Sequence, residues 1–141
     1  MEFFRLAPEV PGELGDSTDL DSTTHPPVVG HFHLDVTNWS GDDLVECFPC
    51  FAVTPALASA LQVAPMSGCA LGPMETTINE DQVEIYPDLK VPSFARLLVT
   101  SRAGVDDAGV DAEHSLVISE RFWRLLRPFR LEDCEVEESR S

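Results

Sequence analysis

Two segments of this chain follow one template. In each, a short apolar strand runs into a hydroxyl-bearing residue, an amphipathic stretch of helix formers and a returning strand. The first passes Thr54 and reaches Cys69; the second passes Ser119 and reaches Cys134 at the same spacing. In that alignment Leu57 meets Phe122, Ala60 meets Leu125, Leu61 meets Leu126 and Leu71 meets Val136. Threonine and serine are good N-caps, Pro55 suits the first helical position, and Pro65 and Pro128 stop the two helices. Amphipathic patterns are degenerate, and coincidence between two such units in an α+β chain is the default expectation. Either way, helices that are short, capped and widely separated restrict the chain to strand-rich architectures.

The strands are signalled by alternation. Val28 to Val36 places Phe32, Leu34 and Val36 on one parity, and Phe94 to Thr100 alternates cleanly. Phe3 to Leu6, Leu44 to Val53 and Ser115 to Ile118 are further candidates, with a bulge or strand end expected at Pro49. Gln82 to Tyr86 reads as a short strand or turn after the polar break Asn79-Glu80-Asp81. The 141 residues suffice for one domain, so the expectation is a single α+β domain over residues 1–136, with a mainly antiparallel sheet and two main helices. Residues 8–27 read as a long acidic loop punctuated by proline and glycine, and residues 137–141 as a flexible acidic tail.

Charge restricts the partners. The formal net charge is −16, and residues 1–89 hold one basic residue against fifteen acidic ones. Residues 90–141 hold eight against ten. Such a chain is unsuited to phosphate backbones or anionic membranes, so neither nucleic acid nor a membrane is expected as partner. A field of this sign steers a basic partner. Acids in turn sequences are the natural contact candidates: Asp16, Asp19, Asp21, Asp42, Asp43, Asp106 and Asp107, with Trp39 as an aromatic anchor in its turn.

Chemistry-bearing motifs are sparse. His31, His33 and Asp35 share one strand parity, and such a triplet can hold zinc or iron with open positions. The same alternation describes an ordinary solvent-facing strand side, which is the reading preferred here. Cys47 and Cys50 form a C-x-x-C pair inside an apolar run, with no second pair to complete a zinc site, so packing is their expected role. Arg121, Arg124, Arg127 and Arg130 read as the solvated face of the last helix. No cofactor is expected. The N-terminus lacks a signal-peptide pattern, and a cytoplasmic location is expected.

The run Leu116-Val117-Ile118-Ser119-Glu120-Arg121-Phe122-Trp123-Arg124-Leu125-Leu126 resembles the closing segment of small bacterial immunity proteins from polymorphic toxin systems, and of related proteins of high-GC bacteria. Pro92 to Val99, the Gly104-Val105-Asp106-Asp107 turn and the opening Phe3-Phe4-Arg5-Leu6 fit the same layout. The resemblance covers the last third of the chain. It implies a cytosolic neutraliser that binds one toxin domain, and it transfers no catalytic residue. The expected function is therefore non-enzymatic binding that occludes a toxin's basic active-site surface. A small metal-dependent enzyme using His31, His33 and Asp35, or an acidic adaptor subunit, are the alternatives.

Overall fold

A computed structural model describes residues 2–140. In chain order the elements are β1 (Glu2–Ala7), β2 (Gly12–Leu14), β3 (Leu20–Asp21), β4 (Val28–Val29), β5 (His33–Val36), β6 (Leu44–Cys47) and β7 (Cys50–Val53). Then follow α1 (Pro55–Val63), β8 (Cys69–Gly72), β9 (Glu75–Ile78), α2 (Glu80–Ile85), β10 (Ala95–Val99), β11 (Ala108–Val110), β12 (Leu116–Ser119), α3 (Glu120–Leu126) and β13 (Glu135–Arg140). The fold is α+β, and among the described residues the paired strands are antiparallel except β5 with β9. Two isolated bridges, Glu9 with Val45 and Arg102 with Val110, are also parallel. No helix among the described residues is long and apolar enough to cross a membrane.

The template seen in the sequence is a structural duplication. Each unit consists of a leading strand, a hairpin, a capped helix and a returning strand: β1, β6–β7, α1 and β8 in the first, β10, β11–β12, α3 and β13 in the second. The two four-stranded sheets run β11-β12-β1-β13 and β6-β7-β10-β8. The leading strand of each unit has therefore crossed into the other unit's sheet. The registers agree residue by residue. Leu97 stands between Phe51 and Leu71, and Leu6 stands between Leu116 and Val136. Arg96 stands between Ala52 and Gly72, and Arg5 between Val117 and Glu137. The displacement that takes Thr54 to Ser119 maps each of these hairpin and returning-strand residues onto its counterpart.

Both helices start for the same reason. Thr54 and Ser119 have extended backbone, and each side chain accepts a hydrogen bond from the third residue on, Leu57 N–H and Phe122 N–H. Each hydroxyl in turn donates to an aspartate at the head of its own hairpin. Thr54 Oγ1 donates to Asp43 at 2.6 Å and Ser119 Oγ to Asp107 at 2.6 Å. The same aspartates accept the cap residues' backbone N–H groups through their carbonyls. Their second carboxylate oxygens reach across to the other unit, Asp43 to Arg130 N–H and Asp107 to Ser67 N–H. Each clamp thus ties its own helix to the turn that follows the other helix. Gly68, at φ +84°, allows the turn after α1 to lie against Ala108, where a side chain would collide with the backbone.

The main core fills the space between the exchanged sheets and helices α1 and α3. Leu57 and Leu61 of α1 correspond to Phe122 and Leu126 of α3, and all four are buried there with Leu6, Leu97, Val53 and Ile118. A second core of Phe32, Leu34, Val36, Val45, Cys47, Cys50, Ala52 and Phe94 lies under a third sheet, β2-β5-β9. That sheet is built wholly from two inserted segments, one between β1 and β6 and one between β8 and β10. The second unit has no counterpart to it.

Three expectations are corrected. Residues 8–27 contain β2 and β3 rather than an unbroken loop, because β5 offers an edge on which Gly12–Leu14 pair. Gln82 to Tyr86 falls mostly in α2, started by Asn79, whose side chain accepts from Asp81 N–H, with Glu80 and Asp81 favourable in the first turn. Residues 137–140 are not a frayed tail but most of β13, paired with β1. Main-chain ladder bonds hold a largely polar edge strand when its neighbour is anchored in the core, as Phe4 and Leu6 are. Residue 141 lies outside the described residues.

The paired clamps give a test. Asp43→Ala and Asp107→Ala should each lower stability by about 1–3 kcal/mol in urea unfolding, since both leave a cap hydroxyl and a cross-unit N–H without their acceptor. Partial burial alone would raise the Asp107 carboxyl, but hydrogen bonds from Ser119 and Ser67 and the Arg121 charge outweigh it and hold the group below its ordinary 3.8. A depressed carboxyl stabilises the fold above its unfolded value and loses that contribution as pH falls through the folded one. Asp107→Asn should therefore flatten the loss of stability on acidification below the ordinary carboxylate range.

Candidate functional site

The third sheet opens into a cleft of about 660 Å³ between the 13–16 turn, β5 and the start of α2. Its lining includes five carboxylates, Glu13, Asp16, Asp35, Glu80 and Asp81, and neither lysine nor arginine. The floor is a chain of hydrogen bonds. Ser17 N–H donates to His33 Nδ1 at 3.2 Å, so that nitrogen carries no proton and the ring proton sits on Nε2. His33 Nε2 then donates to Thr77 Oγ1 at 2.7 Å, and Thr77 donates to Asp35 at 3.0 Å. Asn79 donates to the other Asp35 oxygen at 3.0 Å. Gly15 packs directly on the imidazole, where any side chain would overlap the ring. The floor is thereby fixed, while Glu13, Asp16, Glu80 and Asp81 remain exposed at the rim.

Helix α2 extends away from this rim and has no buried residue. Val83, Ile85 and the following Tyr86 are 46%, 63% and 60% exposed. Val83 and Ile85 point to different sides of the helix, so these are exposed apolar side chains near a charged cleft rather than one patch.

The structure divides the acids singled out in the sequence. Asp16 lines the cleft, and Asp19 and Asp21 are exposed on the neighbouring arm. Asp21 accepts from the hydroxyl and N–H of Thr23, and those bonds hold its carboxyl below the ordinary value. Asp42 is fully buried and accepts Glu132 N–H at 2.9 Å and Asp133 N–H at 2.8 Å. Asp43 and Asp107 are the helix clamps, and Asp106 is half-buried beside Gly68. Trp39 is not an exposed anchor: it meets Phe94 edge-on at 5.8 Å and donates Nε1–H to the Asp42 carbonyl at 3.0 Å. Asp42, Asp43, Asp107 and Trp39 thus hold the fold together.

His31, His33 and Asp35 do not converge on a metal site. His31 precedes β5, is exposed and pairs with Glu75 at 3.0 Å. Both ring nitrogens of His33 are engaged, and the ring is buried rather than solvent-facing. Among the described residues, ligand atoms of Glu9, Asp42 and Asp133 do lie within 4.8 Å of one another. Their oxygens serve the chain itself: Glu9 accepts Ser40 N–H at 2.7 Å and Asp42 N–H at 3.4 Å, and Asp133 takes the Ser40 hydroxyl. The last-helix arginines pair locally, Arg121 with Asp107, Arg124 with Glu120 and Arg130 with Glu132.

Cys47 and Cys50 face each other across the β6–β7 hairpin, and both are buried. Burial, with the charges of Cys50, Glu13 and Glu46 added, pushes the Cys47 thiol up to about 12. Burial also raises Cys50, partly offset by Arg96, and lifts Cys69 and Cys134 to about 11. Cys69 and Cys134 occupy matching places beside the main core.

Sequence reasoning missed Glu13, Thr77, Asn79, Glu80 and Asp81, and the exposed α2 side chains. The signal for α2 was present: an asparagine followed directly by two acids is a helix start, and it passed as a polar break. Compared with protein-family models, curated proteins and solved structures, the chain matches none.

Two outcomes follow from this geometry. Asp42→Lys would bury an ammonium and orphan two N–H groups, so it should cost about 3–5 kcal/mol, read as lost cooperative unfolding or a lowered urea midpoint. Alkylation by iodoacetamide at pH 8, followed by mass spectrometry, should leave all four cysteines of the folded chain largely unmodified and label them rapidly in urea.

Proposed function

We propose that this chain is a non-enzymatic binding protein of the immunity type, which neutralises a toxin domain by covering a basic active-site surface. The observation that carries this reading is the acidic cleft, with exposed Val83, Ile85 and Tyr86 near it. Cationic side chains of the partner enter between Glu13, Asp16, Glu80 and Asp81, and an apolar rim settles on Val83, Ile85 and Tyr86. The field of the first 89 residues draws the partner in, and the apolar contacts hold it. The fixed His33–Thr77–Asp35 floor supports the reading, since a rigid acceptor surface loses little entropy on binding. The contact set therefore retains Asp16 and shifts from the other turn acids to the third sheet.

The test is growth rescue combined with kinetics. A toxin domain encoded beside this chain's gene is expressed with and without the chain, and the chain should restore growth. Glu80→Lys with Asp81→Lys should slow association about tenfold at low salt, with the difference shrinking as the Debye length falls below about 10 Å. Tyr86→Ala should instead speed dissociation and cost about 1–3 kcal/mol of affinity. Absence of rescue overturns the immunity reading. Full rescue and unchanged kinetics by the variants would show that another surface makes the contact.

A further inference from the structure

We propose that the outer edge of β13 accepts an extended cationic segment of a partner protein by β-strand addition. This surface is separate from the acidic cleft, and the proposal stands whatever the activity of the partner.

The duplication makes β13 unusual. Its counterpart β8 is the edge strand of the other sheet and has only four residues, ended by Pro73, which cannot continue a ladder. The position corresponding to Pro73 is Glu138, and here the strand runs on to Arg140, pairing with β1 at six consecutive positions. Among the described residues nothing pairs with the far side of β13. A straight, six-residue edge without proline or bulge presents a row of free main-chain donors and acceptors, the feature that natural edges usually remove.

The side chains select the occupant. Glu135, Glu137 and Glu138 are exposed, and Val136 is 38% exposed among them. Arg5, the register partner of Glu137 on β1, is already within 4 Å of Asp111 and Glu113. Two copies of this chain pairing through β13 would set these carboxylates against one another, which is unfavourable across a ladder. A strand carrying lysine or arginine at alternate positions meets Glu135 and Glu137, which share one face, with opposite charge, and the main chain supplies the remaining bonds. The acids that block self-association thus admit a basic strand.

The experiment titrates the full ¹⁵N-labelled chain with a capped peptide of alternating lysine and valine, about eight residues long, and follows amide exchange by NMR. At saturation the β13 amides that do not bond to β1 should exchange about tenfold more slowly. A peptide N-methylated at alternate residues keeps its charge and side chains but loses one edge's donors, and should bind about tenfold more weakly. Glu137→Lys with Glu138→Lys, checked for an unchanged circular dichroism spectrum, should weaken binding by a similar factor. Equal affinity for the methylated peptide would show association by charge alone and overturn the proposal. So would protection confined to other residues, or no binding at all. Protection of β13 in the free chain together with a dimer in sedimentation would overturn it as well, by placing a second copy on the edge.

Discussion

The exchange of leading strands is the constraint on which the rest of the fold depends. β1 stands between β12 and β13, and β10 stands between β7 and β8, so neither sheet holds together from one unit's own residues. The main core inherits that arrangement. Leu6 and Leu97 occupy matching central positions, each surrounded by side chains of the other unit, and the two helices cover the sheets with the matched pairs Leu57 with Phe122 and Leu61 with Leu126. Asp43 and Asp107 add directional polar bonds to this apolar contact, and each spans the two units. Hydrophobic burial supplies most of the driving force, while the carboxylates define where each helix begins.

The proposed cleft contact lies where the two units differ. The duplicated parts engage many of their polar side chains in caps and clamps, and the outer edge of β13 is what they leave open. The inserted segments form a separate sheet with its own small core. That sheet presents the fixed histidine and the acidic rim, with α2, which has no buried residue, beside them. Fifteen of the twenty-five acids also precede Lys90, against one basic residue. A scaffold of two matched units is thus joined to an asymmetric, charged attachment.

Much of this was legible in the residues, for identifiable reasons. Thr54 and Ser119 announced their helices because capping is local chemistry, and Phe32, Leu34 and Val36 announced an inward strand face because period two is local geometry. The equal spacing to Cys69 and Cys134 was visible, yet strand exchange was not, since no pattern within a strand states which strand lies beside it. Asp42, Asp43, Asp106 and Asp107 looked alike as turn acids. What distinguishes Asp42 is the approach of Glu132 and Asp133 N–H groups from the far end of the chain, a long-range fact. Residues 137–140 read as a tail for the same reason, because an edge strand is stabilised by its neighbour's backbone and not by its own side chains.

The exchanged β1 also bears on how the molecule comes into being. During synthesis Phe4 and Leu6 emerge early, but the strands that flank them, β12 and β13, follow about a hundred residues later. Until then an apolar strand with both edges open must be kept from wrong pairings. The first unit, meanwhile, has its hairpin, α1 and β8 in hand but lacks β10 in the centre of its sheet. Neither half therefore offers a finished intermediate to the growing chain. β13 closes the sheet around β1, so this sheet is complete only after residues 135–140 have left the ribosome.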